Sequence, residues 1–185
     1  MSLCSVDSVK VELGIDLADS SQDARLLRMI TAASEFISLY CRRVFAAGDG
    51  LIEKHARDTV IQVRRPPIRA ISSVPEGYVV DSLSAGLLRS EAPLNPFLPT
   101  TSLGRGVVEV TYDGGFDSVP AAIEDVCIRI VQTRYQATAA IDAGMVSASE
   151  GGVSVGFAAS AITSQEEGLS KGIRAILDRY RLPVS

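Results

Sequence analysis

Val107-Val108-Glu109-Val110-Thr111-Tyr112-Asp113-Gly114-Gly115-Phe116-Asp117-Ser118-Val119-Pro120-Ala121-Ala122-Ile123 changes its period midway, and that change decides the fold class. Its first six residues form the most convincing strand in the chain. Asp113-Gly114-Gly115 ends that strand with turn chemistry. Asp117 or Ser118 then offers an N-cap, and Pro120 falls in the first turn of a helix, where a missing N–H costs nothing. From Ile123 the apolar residues Val126, Cys127, Ile130, Val131 and Tyr135 recur as a core-facing helical stripe. This helix is expected to run to about Ala140, and a strand leading directly into a long helix indicates an α+β chain.

Upstream, Ser5 to Leu13 reads as a short helix, with Ser5 as N-cap and Gly14 as the left-handed residue that stops it. Asp19, Ser20 and Ser21 offer caps for a second helix from Gln22 to Cys41. There Leu26, Ile30, Ala33, Ile37 and Cys41 make one stripe of 3.6-residue period. Leu27, Met29, Phe36 and Tyr40 widen the apolar surface beyond that stripe. The helix is therefore expected to pack on more than one neighbour, either within the chain or from another subunit, in which case these four are the candidate interface residues. Arg42-Arg43 places positive charge at the negative end of the helix dipole.

Between the helices the pattern is β. Thr59–Val63 and Ile68–Val74 read as strands, broken by Arg64-Arg65-Pro66-Pro67, because proline cannot donate to a ladder. Tyr78-Val79-Val80 and Leu87-Leu88 read as a hairpin around Ser84-Ala85-Gly86. Residues 92–104, with three prolines and little periodicity, read as a loop. Downstream of the long helix, Ser149–Phe157 suggests a short strand after a glycine turn. Ser164-Gln165-Glu166-Glu167 has capping-box form, ahead of an apolar face of Leu169, Ile173, Ile176, Leu177 and Tyr180. The expected fold is therefore a mainly helical bundle of two long helices with short N- and C-terminal helices. A small antiparallel β region is inserted between the long helices. The chain is expected to be one domain, 1–185, with a helical core from 1–45 and 118–182 and a β insertion over 51–116.

The 185 residues are 46% hydrophobic and 22% charged, ordinary values for a soluble domain. A net charge of -4 argues against a DNA-coating role, which needs surplus cations to displace counterions from phosphate. It is compatible with an acidic wall past which DNA slides. Aromatics at 5% supply few stacking platforms for single strands. The N-terminus lacks the basic and apolar regions of a secretory signal, and no stretch approaches a membrane span. The protein is expected to be made and kept in the cytoplasm, which also suits the odd count of three cysteines. Cys41 and Cys127 fall on apolar helical stripes, where a thiol acts as a small hydrophobe.

The residues offer little chemistry. His55 is the single histidine, so no second imidazole can join it on a metal, and no G-x-S-x-G elbow accompanies it. An exposed histidine at a strand edge is the expectation. Gly48-Asp49-Gly50, Gly104-Arg105-Gly106 and Asp113-Gly114-Gly115 all lack the residues or order of a phosphate loop. Glu124-Asp125 and Glu166-Glu167 complement helix dipoles. No catalytic, cofactor or metal residue is expected. Arg57, Arg64, Arg65 and Arg69 form the densest basic group, either a DNA or acidic-partner contact or a solvated strand face.

The order of these segments resembles the head–tail connector (adaptor, head-completion) family of tailed bacteriophages and prophages. The resembling pieces are Leu13-Gly14, the acidic turn Asp16 to Asp23, and Ser34–Arg43 with its Tyr40-Cys41-x-Arg43 ending. They continue with Arg65-Pro66-Pro67-Ile68, Val110-Thr111-Tyr112-Asp113-Gly114-Gly115-Phe116 and Val119-Pro120. Val153-Ser154-Val155 and Leu177-Asp178-Arg179-Tyr180-Arg181 complete the series, and the proline-rich stretch 92–104 has no counterpart. The resemblance implies a structural virion protein of the neck, in a closed ring of about twelve copies docked beneath the portal. It would extend the DNA channel, pass DNA without specific binding, and present a surface to the next neck or tail protein, with no membrane involved. Tyr180, Arg181, Leu182 and Pro183 become a candidate portal-docking arm. The rival readings are another neck or tail-completion protein, an enzyme with an unrecognised site, or a DNA-binding regulator.

Overall fold

The computed structural model describes residues 2–91, 106–142, 147–150, 153–156 and 170–183. The chain divides into two compact units, Met1–Arg42 with Val119–Ser185, and Arg43–Ser118.

The first unit is helical because its sequence is striped. Helix α1 spans Val6–Leu13; its N-cap Ser5 accepts from the Ser8 N–H at 3.0 Å, and Gly14 ends it at φ 69°. Helix α2 spans Asp23–Cys41. Of the expected caps, Asp19 instead turns on itself to accept from the Ser21 N–H at 2.9 Å. The N-cap is Gln22, whose side chain makes no capping bond, and Arg42 closes the helix in the left-handed region at φ 53°. Helix α3 spans Ala121–Asp142, its first turn closed on the Pro120 carbonyl. The stripes Leu26, Ile30, Ala33, Ile37, Cys41 and Ile123, Val126, Cys127, Ile130, Val131 are buried together, with Leu3 and Val9 beside them.

Helix α4, Lys171–Tyr180, begins at Ser170, whose Oγ accepts from the Ile173 N–H at 3.3 Å. The capping box expected at 164–167 lies outside the described residues, as does the loop 92–104. Leu177 is the fully buried anchor of α4, packed with α2 and α3.

The second unit holds two antiparallel three-stranded sheets. Strands β1 (Gly48–Ala56), β6 (Val107–Gly114) and β3 (Ile68–Ser73) form one in the order β1-β6-β3. Strands β2 (Val60–Gln62), β5 (Leu87–Ser90) and β4 (Tyr78–Ser82) form the other in the order β2-β5-β4. Alternation sends Ile61, Val63, Ile68, Tyr78, Leu88, Val108, Val110 and Tyr112 into one shared core. Chain ingress and egress are side by side: the Phe116 N–H bonds the Phe45 carbonyl at 3.0 Å, and the two rings stack. The Arg43 guanidinium lies over both, 5.3 and 5.0 Å from their centroids, and donates to the Pro66 carbonyl. Gly115 is needed there, because at φ 91° a Cβ would collide with the Ala46 carbonyl.

A third, two-stranded antiparallel sheet pairs β7 (Ser147–Glu150) with β8 (Val153–Gly156), so the expected single strand here is two.

The expectation of a mainly helical bundle on two long helices with a small β insertion is overturned. The described residues form four helices, of 8, 19, 22 and 10 residues, beside two antiparallel three-stranded sheets. The β segments are not satellites of a helical core, because their inward residues bury one another and make a core of their own. Strand β1 was expected only as the strand edge that carries His55, without bounds. Its inward positions carry Leu51, Glu53 and His55, with Ile52, Lys54 and Ala56 outward, so polar residues occupy core-side places and hide the alternation.

Candidate functional site

The inward polar residues of β1 build the densest polar cluster in the second unit. Glu53 accepts from the Tyr112 hydroxyl at 2.5 Å, from His55 Nε2 at 3.0 Å and from the Arg64 backbone N–H at 3.0 Å. The Tyr112 oxygen in turn accepts from the Arg65 N–H at 3.1 Å. Burial pushes the Glu53 carboxyl up, but its hydrogen bonds from His55, Tyr112 and Arg64 outweigh that and hold it below its ordinary value. Burial, and then the Glu53 carboxylate, push the Tyr112 phenol up. His55 is thus a half-buried partner of Glu53 on an edge strand, not the exposed histidine expected. Acid, imidazole and phenol meet here, but each is spent on its neighbours and Tyr112 is fully buried. The cluster ties β1 and β6 to the Arg64-Arg65 turn.

The arginine group is spread out rather than gathered. Arg57 follows the far end of β1, whereas Arg69 meets Asp49 at its start, about 25 Å away along the strand. The Arg69 guanidinium bridges Asp49 and Asp117, the latter at 2.7 Å, so its charge is answered within the chain. Arg64 is exposed and Arg65 half-buried; both anchor by backbone N–H to the Glu53–Tyr112 cluster.

Of the candidate interface residues on α2, Leu27 is 51% exposed, whereas Met29, Phe36 and Tyr40 are half-buried. Phe36 leans on Tyr40 at 6.2 Å between ring centroids. Tyr40 donates to Asp178 at 2.8 Å, a bond that pushes the phenol up, and lies 5.2 Å beneath the Arg181 guanidinium. Leu182 donates its N–H to the Cys41 carbonyl at 3.0 Å, and Tyr180 is half-buried; Pro183 is exposed. The candidate arm 180–183 and the candidate interface residue Tyr40 are therefore one surface at the C-terminal end of α2. Sequence reasoning kept them apart because nothing local links residue 40 to residue 181.

Two features escaped the sequence reading. Lys10, on α1, is 2% exposed and pairs with Asp23 at 2.6 Å and the Leu17 carbonyl at 3.2 Å. Leu39 on α2 is 78% exposed, Ile52 on β1 63%, and Val107 on β6 66%. Leu27 and Leu39, three helical turns apart, flank Thr31 and Glu35 on one solvent-facing stripe of α2. Among the described residues no cluster of His, Cys, Asp or Glu could hold a metal ion, and no helix is long and apolar enough to cross a membrane.

No curated protein matches the chain. Over residues 2–182 it matches the family described as head completion protein, a phage head–tail connector family that is structural rather than enzymatic. With that match spanning both units, the chain belongs to the head completion protein family.

Proposed function

We propose that the protein closes the phage head as a ring of identical subunits beneath the portal, extending the DNA channel and offering a landing surface to the next neck or tail protein. The family match over residues 2–182 carries this reading. On it, both units act as one connector domain, made in the host cytoplasm and carried in the neck of the virion.

Surface chemistry supports the same role. Leu27 and Leu39 present apolar side chains on the outer stripe of α2, in keeping with burial between subunits. The surface formed by Tyr40, Tyr180, Arg181 and Leu182 is the candidate portal-facing end. A net charge of -4 leaves no cation surplus to grip passing DNA.

The test is complementation of a phage lacking this gene, with particles imaged and head–tail joining counted. Wild-type protein restores tailed particles with a ring below the portal. Leu39→Asp, on an exposed position, leaves the monomer folded but abolishes the ring. Truncation after Asp178 leaves filled heads without tails. Normal joining by both variants would overturn the assignment of these surfaces, and failure of the wild-type protein to enter particles would overturn the role.

A further inference from the structure

Cys4 and Cys127 lie 123 residues apart in the chain, yet their Sγ atoms approach to 3.4 Å. Both thiols are buried, Cys4 just before the Ser5 cap of α1 and Cys127 on the core stripe of α3. Ser34 of α2 completes the cluster: its Oγ accepts from the Leu3 N–H at 3.0 Å and stands 3.7 Å from the Cys127 sulfur. The third cysteine is differently occupied, its Sγ directed to the Leu177 carbonyl at 3.6 Å.

We propose that Cys4 and Cys127 are a disulfide-forming pair, whose oxidation staples the N-terminal segment to α3. Sequence offered no hint of it, because the two residues lie 123 apart with no CxxC spacing. The sulfurs need only close from 3.4 Å to about 2.05 Å, a move within reach of side-chain rotation and a small backbone shift. The Cys4 S–H points at the Cys127 sulfur, a bond that pushes the Cys4 thiol up and holds the Cys127 thiol below its ordinary value. With the Cys4 S–H and the Ser34 hydroxyl both able to donate to its sulfur, Cys127 is the better-placed thiolate and acts as the nucleophile.

With a peroxide as oxidant, the Cys127 thiolate attacks one oxygen, the O–O bond breaks, and hydroxide leaves. Cys4 then gives up its proton and attacks the resulting sulfenic sulfur; the S–S bond forms, the S–O bond breaks, and water leaves. Two thiols are oxidised and one peroxide is reduced to two waters. Leu3 and Cys4 are buried and the Leu3 N–H is bonded to Ser34, so a small oxidant such as hydrogen peroxide reaches the pair when this segment opens locally. A particle leaving a reducing cytoplasm would meet such oxidants outside. That timing rests on the proposed virion role, whereas the chemistry rests on the geometry alone.

The experiment treats the purified full-length chain with hydrogen peroxide, then alkylates it under denaturing conditions and maps it by mass spectrometry. The expected product has lost two hydrogens, contains a Cys4–Cys127 cross-linked peptide, and leaves Cys41 alkylated. Its thermal midpoint rises by about 5 °C or more, since a long loop is closed in the unfolded chain, and a dithiol reverses the rise. Cys4→Ser abolishes both cross-link and shift, whereas Cys41→Ala keeps both. The pairing is overturned if Cys4 and Cys127 both remain alkylated, if Cys127 proceeds to sulfinic acid without cross-linking, or if the bridge includes Cys41. Because the assay uses purified protein, its failure is distinct from failure of the neck assignment.

Discussion

Glu53 occupies a core-side position of an edge strand, where a carboxylate needs hydrogen bonds to offset its lost hydration. Tyr112, His55 and the Arg64 N–H provide them, and they hold the carboxyl below its ordinary value of 4.5. A depressed folded-state value means the stabilisation is present above 4.5 and is lost as pH falls through the folded-state value. The urea midpoint should therefore fall on acidification below about pH 4.5, and Glu53→Gln should flatten part of that slope. An unchanged slope in the variant would show that other carboxylates carry it. Lys10 is the complementary case, a buried ammonium facing a carboxylate that is 42% exposed. Lys10→Ala removes one partner and opens a hole, costing about 2–3 kcal/mol in chemical denaturation. Lys10→Met refills the volume beside a carboxylate that water still reaches, and should cost about 1 kcal/mol or less.

Helix α4 shows how one buried side chain can anchor an element on the helices beside it. Its one fully buried side chain is Leu177, and its C-terminal residues bond across to Tyr40 and Cys41 of α2. Leu177→Ala should cost about 2–4 kcal/mol. Hydrogen exchange should rise first in 171–182, while α2 and α3 stay protected. Equal loss of protection in all three helices would mean that α4 is integral to the core rather than seated upon it. The helices were legible because their stripes repeat with a single period: Leu26, Ile30, Ala33, Ile37 and Cys41 all proved buried. The first cap of α2 was not legible, since Asp19 had two local uses for its carboxylate and took the turn.

The molecule as a whole comprises two units with separate cores, and the chain enters and leaves the second unit at the Phe45–Phe116 stack. A unit with adjacent ends and its own buried set should survive excision. Residues 43–118 expressed alone are expected to give dispersed amide spectra, with the β6 amides the slowest to exchange. A collapsed spectrum would show that the helices are required for the sheets. The second unit's scale was misjudged from sequence because four of its six described strands are short, at three to six residues, and such strands look dispensable until they share a core.

Local pattern alone determined the two helical stripes, the Ser5 and Gly14 boundaries of α1 and the Val107–Tyr112 strand, because each depends on neighbours within a few residues. The order of such segments along the chain carried the family resemblance. The expected hairpin of residues 78–80 with 87–88 is present. Only the tertiary structure decided that the β segments form two three-stranded sheets around one core, that Glu53 and His55 face inward, and that Tyr40 meets Arg181. The same holds for Cys4 beside Cys127. These depend on which distant side chains share a buried space, and solvation there rewards or penalises a residue by its partners, which no local period encodes. Val107–Tyr112 is a strand by its own chemistry, yet Tyr112 gained its role only with Glu53 beside it.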